Sequence, residues 1–110
     1  MNYDEYKEAY NALNLSGDRL LKGALSLGTE YREFMREPNI SEAGDVLCAI
    51  MLIDTHYGFG LDVESSKSFR TSKQSLGLIL DTQECIKKYN ATGEFHHKMT
   101  ARAMLILFLE

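Results

Sequence analysis

The sequence predicts an all-α fold, a compact bundle of four to five helices that forms one domain over residues 1–110. Apolar residues recur mostly at helical spacing, and no Gly/Ser-rich linker or low-complexity run divides the chain, whose single proline is Pro38. With 110 residues, of which 45% are hydrophobic, the chain is long enough to bury roughly two thirds of its unfolded surface. It therefore needs no disulfide or metal ion to support a core.

The first two helices are predicted from apolar stripes and from residues that start or stop a helix. One stripe predicts a helix over about residues 2–14 and consists of Tyr3, Tyr6, Tyr10 and Leu13. A second, broader stripe follows Ser16 and Asp18, either of which can cap a helix N-terminus. This second helix should end near Glu37, because the residue before Pro38 is pushed out of the helical region.

The third helix is predicted to be the central one. Ser41 is its expected N-cap, and the segment Val46–Ile53 is apolar on all sides, as in a helix surrounded by protein. Gly58 and Gly60 should end this helix, since glycine favours the backbone conformation that follows a helix C-terminus.

The rest of the chain is also predicted to be helical. A fourth helix runs through the apolar positions from Leu76 to Tyr89 and ends in a C-cap composition at residues 90–93, and a short helix over about residues 62–70 precedes it. The last segment, residues 94–109, is predicted as helix although residues 105–109 have strand propensity. The sequence offers no convincing partner strand elsewhere.

Charge and hydropathy exclude several classes of function. The 12 basic and 16 acidic side chains give a net charge of −4, so the chain has no basic field for a nucleic-acid polymer or an anionic membrane. The acidic first twenty residues argue against a signal peptide, and the longest apolar runs are far shorter than the roughly 20 residues that cross a bilayer. Cys48 and Cys85 lie in apolar stretches, which favours buried thiols in a reducing cytoplasm over a disulfide or a metal pair.

Two short acidic motifs are the most informative residues of the chain. Glu30 and Glu33 lie one turn apart on the second helix, and Glu42 and Asp45 repeat that spacing at the start of the third. The connection between the helices is only about residues 37–40, so the helices should pack as an antiparallel pair. We expect the four carboxylates to meet near one end of that pair.

Four neighbouring carboxylates repel one another, and partial burial raises their pKa values. Cations that neutralise them remove this cost, and hard oxygen ligands of this kind suit Mg²⁺ or Mn²⁺, with substrate phosphates completing the octahedron. Each motif also has a simpler interpretation. Glu30 and Glu33 can be a solvated helix face, and Glu42 and Asp45 can complement the dipole of the third helix.

These motifs carry a resemblance to a known family. The stretch from Leu20 to Glu33 resembles the first metal-binding helix of the MazG-like all-α nucleotide pyrophosphohydrolases. The stretch Glu42–Leu47 and the later turn Gly58–Glu64 resemble the family's second acidic helix and the turn that follows it, and residues 1–6 are similar to its N-terminal helix. The resemblance covers about residues 1–75, and the rest of the chain is a helical extension beyond it.

The resemblance implies a Mg²⁺-dependent cleavage of a nucleoside triphosphate into a monophosphate and pyrophosphate. By position, Glu30, Glu33, Glu42 and Asp45 would hold the metal, and Glu33 or Glu30 would also orient or deprotonate the attacking water. The family usually places a basic residue on its next helix to contact phosphate oxygens. Lys73 falls at that place, and Arg70, one turn earlier, is the alternative.

Two further predictions concern association. Helical stripes together with the apolar run at residues 104–109 exceed what one bundle of this size readily covers, which predicts a homo-oligomer, most simply a two-fold dimer. Family members commonly build their sites between subunits, which agrees with a dimer. A function of another class remains open: a non-catalytic, acidic inhibitor or immunity-type protein that uses the carboxylate face to occlude a basic site on a partner.

Histidine and cysteine chemistry is less favoured by the sequence. His56, His96 and His97 show no HxxxH or comparable ligand spacing, so surface or hydrogen-bonded histidines are expected rather than transition-metal ligands. Cys48 lies inside an apolar run, where burial raises the pKa of a thiol and keeps it unreactive.

Overall fold

The structure, a computed structural model, describes residues 3–12, 25–63 and 69–110, and these form five helices and no strand. The helices are α1 (Tyr3–Ala12), α2 (Leu27–Arg36), α3 (Ile40–Tyr57), α4 (Lys73–Thr92) and α5 (Phe95–Leu109). The predicted all-α class is therefore confirmed, and residues 94–109 form a helix rather than a strand. The radius of gyration of the Cα atoms, 13.1 Å, is that of a compact chain of this length.

The predicted ends of the second helix have different outcomes. Its expected start at Ser16 or Asp18 lies outside the described residues. Its end is confirmed, since α2 stops at Arg36, two residues before Pro38. The third helix begins earlier than predicted, because its N-cap is Asn39 and not Ser41. The side-chain oxygen of Asn39 accepts a hydrogen bond from the main-chain N–H of Glu42 at 2.9 Å.

The segment after α3 differs from the predicted short helix over residues 62–70. Residues 61–63 and 69–71 are not helical, and the residues between them lie outside the described ones. Phe59, Leu61 and Val63 are all buried, whereas the residues between them are exposed. Gly60, between the first two of them, has a φ of 64°, in the left-handed region that an α-helix does not contain. The segment after α3 therefore places its apolar side chains in the core without being helical.

Helix α3 supplies the largest share of the core, as the apolar run Val46–Ile53 predicts. Seven of its residues are buried, against four in each of α2, α4 and α5. Gly58 ends α3 in the left-handed conformation, with φ of 65°, which glycine adopts without strain. Gly93 ends α4 in the same way and turns the chain directly into α5.

Close packing fixes α2 against α4 and α5. A side chain at Gly28 would collide with Gln83, whose amide donates to the main-chain oxygen of Leu25, so glycine permits this approach of α2 to α4. On the side of α5, the rings of Tyr31 and Phe108 meet edge to face with centroids 5.3 Å apart. These contacts set the position of α2, which carries two of the candidate site residues.

A buried carboxylate fixes α1 to α3. Asp54 is 1% exposed, and its Oδ2 accepts a hydrogen bond from the Tyr3 hydroxyl at 2.9 Å and lies 3.0 Å from Nζ of Lys7. Its Oδ1 accepts from the main-chain N–H of Leu61 at 3.2 Å. Burial, and next the charge of Asp54, raise the pKa of Tyr3, so this hydroxyl remains a donor.

The apolar run at the end of the chain is largely covered by the chain itself. Leu105, Phe108 and Leu109 are buried, whereas Leu107 is 52% exposed. The most exposed large apolar side chain is Ile40, at 93%, in the first turn of α3. Within the ranges described above, no helix combines the length and the hydropathy that a membrane span requires.

Candidate metal and phosphate site

Three of the four predicted carboxylates come together where α2 and α3 pack. Glu30 and Glu33 on α2 and Glu42 on α3 each place one carboxylate oxygen within 4.8 Å of the other two, a group we call the carboxylate cluster. A connection of only three residues joins the two helices, which pack on each other. The structure thus brings together three of the four residues that the sequence singles out.

The local sequence explains why these carboxylates share one side of α2. Tyr31 and Phe34 are buried and pack toward Phe108 and Phe69, which orients the helix. The residues next to them in sequence, Glu30 and Glu33, are only partly buried and project away from the aromatic contacts. A three-residue spacing then places both glutamates on the same stripe of the helix.

The electrostatics of the cluster are those of mutually repelling groups. The pKa of Glu30 is raised, mainly by burial, then by the charges of Glu33, Asp45 and Glu42, and by a hydrogen bond with Glu33 that favours the protonated form. The pKa of Glu42 is also raised, mainly by burial and then by Glu33 and Asp45. The ionised forms of these glutamates are therefore disfavoured in the folded protein.

Within the described parts of the chain, one oxygen of Glu42 lacks the hydrogen bond that a buried carboxylate oxygen normally accepts. Its Oε2 is shielded from solvent and has no hydrogen-bond partner among the described residues. A buried, unpaired carboxylate oxygen is unfavourable unless a donor or a cation occupies the adjacent space. Three carboxylates with one such oxygen therefore fit a hard divalent cation such as Mg²⁺ or Mn²⁺.

An open cavity of about 530 Å³ lies beside the cluster, and Glu33, Arg36, Glu37 and Glu42 line it. The positive charge of Arg36 offsets a small part of the rise in the pKa of Glu42. A guanidinium beside carboxylates can bind phosphate oxygens while the carboxylates hold a cation. Sequence reasoning missed this arginine, although its spacing of three from Glu33 places it on the same stripe of α2.

Asp45, the fourth predicted metal ligand, lies near the cluster but outside it. Its carboxylate is not among the three whose oxygens lie within 4.8 Å of one another, and its side chain is exposed. Its charge nevertheless raises the pKa values of Glu30 and Glu42. Asp45 also lines a second cavity, of about 250 Å³, together with apolar residues of α3 such as Leu47 and Met51.

The two predicted phosphate contacts are exposed cations that do not line the cavity beside the cluster, as far as the described residues show. Lys73 is the first residue of α4, whose N-cap is Ser72. Arg70 donates from Nη2 to the main-chain oxygen of Glu110 at 3.0 Å. Its own main-chain oxygen accepts from the Tyr31 hydroxyl, which links Arg70 to the buried side of α2.

The cysteines and histidines have separate locations. Cys48 and Cys85 are half-buried free thiols. His56, at the end of α3, packs edge to face on Tyr57, with ring centroids 4.7 Å apart. His96 and His97 instead converge with Glu94 at the start of α5, an arrangement that ligand-spacing motifs in the sequence do not reveal.

Comparison with known proteins adds no relative to this description. No family model matches the chain, and no curated protein or solved structure matches it either.

Proposed function

We propose that the chain is a Mg²⁺-dependent nucleotide pyrophosphohydrolase of the MazG-like type, which cleaves a nucleoside triphosphate into a monophosphate and pyrophosphate. The observation that carries this proposal is the convergence of Glu30, Glu33 and Glu42, together with a Glu42 oxygen that is shielded from solvent and has no hydrogen-bond partner among the described residues. The order of acidic motifs that resembles the family supports the same assignment. Asp45 belongs to the proposed ligand set through that resemblance.

In this proposal each side chain has a distinct task. Glu33 and Glu42 hold the cation, which when bound supplies positive charge to the phosphate oxygens and acidifies a water molecule. Glu30, or Glu33, would orient or deprotonate the attacking water, since the carboxylates of both lie in the cluster that would hold the cation. Arg36 in the adjacent cavity is suited to donate hydrogen bonds to the triphosphate.

A triphosphate substrate is proposed from the positive charge of Arg36 beside the cluster and from the family resemblance. The resemblance adds Lys73 or Arg70 as phosphate contacts, because an ammonium or guanidinium donates to phosphate oxygens and does not ligate a cation. Free thiols at Cys48 and Cys85 agree with the reducing cytoplasm that forms part of the proposal.

A homo-oligomer, most simply a two-fold dimer, is also proposed. The terminal apolar run gives little support to the dimer, because Leu107 is exposed whereas Leu105, Phe108 and Leu109 are buried within the chain. Ile40, almost fully exposed beside the cavity lined by Leu47 and Met51, is the stronger argument. Light scattering at micromolar concentration should give twice the 12.5 kDa chain mass, and a monomer mass would refute the dimer.

The activity is tested with a panel of nucleoside triphosphates in the presence of Mg²⁺, with pyrophosphate and orthophosphate measured separately. We expect pyrophosphate release that Glu33→Gln reduces at least ~100-fold, the scale of a lost electrostatic contribution to catalysis. Glu84→Gln, at an exposed glutamate on α4, is the matched control and should retain the wild-type rate.

Absence of pyrophosphate with every nucleotide would refute the proposed activity and favour the acidic interaction module instead. Wild-type rates in Glu33→Gln would refute the assigned site. The rate of pyrophosphate release by Asp45→Asn then distinguishes a site of three carboxylates, which would keep most of its activity, from a site of four. A loss as large as that of Glu33→Gln would show that Asp45 joins the metal once the ion is bound.

A further inference from the structure

We propose that Glu94, His96 and His97 form a second metal site, specific for a borderline-soft divalent transition ion of which Zn²⁺ is the natural probe. One ligand atom from each residue lies within 4.8 Å of the other two; Glu94 is the N-cap of α5, and His96 and His97 lie in its first turn. This Glu–His–His group shares no residue with the carboxylate cluster. The inference is therefore independent of the proposed function.

The separations within the Glu–His–His group are those of metal ligands rather than of hydrogen-bonded partners. Nε2 of His96 lies 3.5 Å from Oε2 of Glu94, and Nε2 of His97 lies 3.4 Å from the same oxygen. Direct N–H···O bonds span about 2.7–3.2 Å. A tetrahedron with Zn–N and Zn–O bonds of 2.0–2.1 Å has edges of about 3.3–3.4 Å, which agrees with both distances.

The chemistry of the donors selects the class of ion. Two imidazoles with one carboxylate are typical of catalytic zinc sites, which leave a fourth position for water or another ligand. Mg²⁺ takes oxygen ligands, so the same ion is not expected to prefer both sites. The rings of His96 and His97 lie 4.0 Å apart between centroids, so both imidazoles lie close enough together to approach one cation.

The surroundings hold the Glu–His–His group in place and leave it accessible. The main-chain N–H of Glu94 donates a hydrogen bond to the hydroxyl of Thr92 at 3.2 Å. The main-chain N–H of His97 donates to the main-chain oxygen of Glu94, also at 3.2 Å. The nearby ammonium of Lys98 lies over the ring of Tyr89, 5.9 Å from its centroid. Glu94 and His96 are exposed, so an ion can enter from solvent.

The test is a Zn²⁺ titration of the whole chain followed through the imidazole nitrogens by NMR, in excess Mg²⁺ to occupy the carboxylate cluster. We expect the resonances of His96 and His97 to shift together with one equivalent of Zn²⁺, while those of His56 stay in place. His97→Asn should weaken binding at least ~tenfold, since even outer-shell partners of a metal ligand contribute that much. His56→Asn is the matched control and should bind as the wild type does.

Three results would overturn the second site. Zn²⁺ could leave both imidazoles unshifted, which would place it on a thiol or on the carboxylate cluster. All three histidines could shift equally and without saturation, which would indicate nonspecific binding. Finally, His97→Asn could bind Zn²⁺ with unchanged affinity. Because His97 is half-buried whereas His96 is exposed, His96→Asn is the second variant: it should also weaken Zn²⁺ binding and leave the helical circular dichroism unchanged, which distinguishes lost binding from a folding defect.

Discussion

The carboxylate of Asp54 and the carboxylate cluster differ in the partners that the rest of the protein supplies to them. Asp54 is buried and receives two hydrogen bonds and an ion pair, from Tyr3, Leu61 and Lys7. The carboxylate cluster of Glu30, Glu33 and Glu42 has mainly negative neighbours, and one Glu42 oxygen has no hydrogen-bond partner within the part of the chain that the structure describes.

The difference separates a structural charge from one that needs a ligand. A buried carboxylate whose partners all come from the chain contributes to folding, and it leaves little for an added ion to do. A group of carboxylates that raise one another's pKa values lowers stability unless a cation from solution binds to it. The comparison predicts opposite responses of the two regions to mutation, pH and metal.

The largest effect on stability is expected at the satisfied carboxylate. Asp54→Ala leaves Tyr3 and the N–H of Leu61 without their acceptor and Lys7 without its partner, and should lower the free energy of unfolding by about 3 kcal/mol. Urea unfolding followed by helical circular dichroism measures this loss. Asp62→Ala, at an exposed aspartate in the following segment, should stay within ~0.5 kcal/mol of wild type. Equal losses in both variants would contradict the structural role of Asp54.

The next effect concerns activity and depends on the proposed function. Arg36→Met removes the cation that lines the cavity beside the cluster, and should lower kcat/KM by about 10–100-fold, the value of hydrogen bonds to a charged group. Arg32→Met, at an exposed arginine of the same helix, is the matched control. A larger loss in Lys73→Met than in Arg36→Met would show that the phosphate contact implied by the family resemblance is the principal one.

The smallest expected effect is a gain in stability at the unsatisfied cluster. A raised pKa means that the folded chain favours protonated Glu30, so the stability from that group is present below its ordinary pKa of 4.5 and is lost as pH rises through the raised value. Removing this repulsion with Glu30→Gln should raise Tm by roughly 1–4 °C at neutral pH without metal, given the cost of like charges one turn apart.

The pH dependence supplies the control for Glu30→Gln. The gain in Tm should disappear below pH 4.5, where the wild-type carboxyl is protonated as well. Glu84→Gln, outside the cluster, should show no such dependence. A gain that is the same at acidic and neutral pH would mean that burial of the glutamine, and not relief of repulsion, stabilises the variant.

Sequence reasoning succeeded where the signal is local and periodic. Pro38, Gly58 and Gly93 mark helix ends through backbone restrictions that act within a few residues, and the structure has helix boundaries beside all three. It was wrong about the short helix over residues 62–70, of which residues 62, 63, 69 and 70 are described and are not helical. Phe59, Leu61 and Val63 are buried there around Gly60, whose left-handed φ of 64° follows from the tertiary fold and not from a local apolar pattern.

The candidate site shows the same division. The spacing of Glu30, Glu33 and Glu42 and the short connection were sufficient to predict that they meet. The distance of Asp45 from that group depends on the register of two packed helices, which sequence spacing does not define to within one turn. The partners of Asp54, from α1 and from the segment after α3, are long-range contacts that no local pattern encodes.

The most direct measurement is the change in Tm that Mg²⁺ causes in wild type and in Glu33→Gln, with NaCl at equal ionic strength as the reference. At a concentration tenfold above its Kd, Mg²⁺ should stabilise the wild type by about 1.4 kcal/mol, which raises Tm by roughly 6 °C, and most of this shift should be absent in Glu33→Gln. A wild-type shift no larger than that from NaCl, or the same shift in both proteins, would contradict the account that the cluster is a cation site.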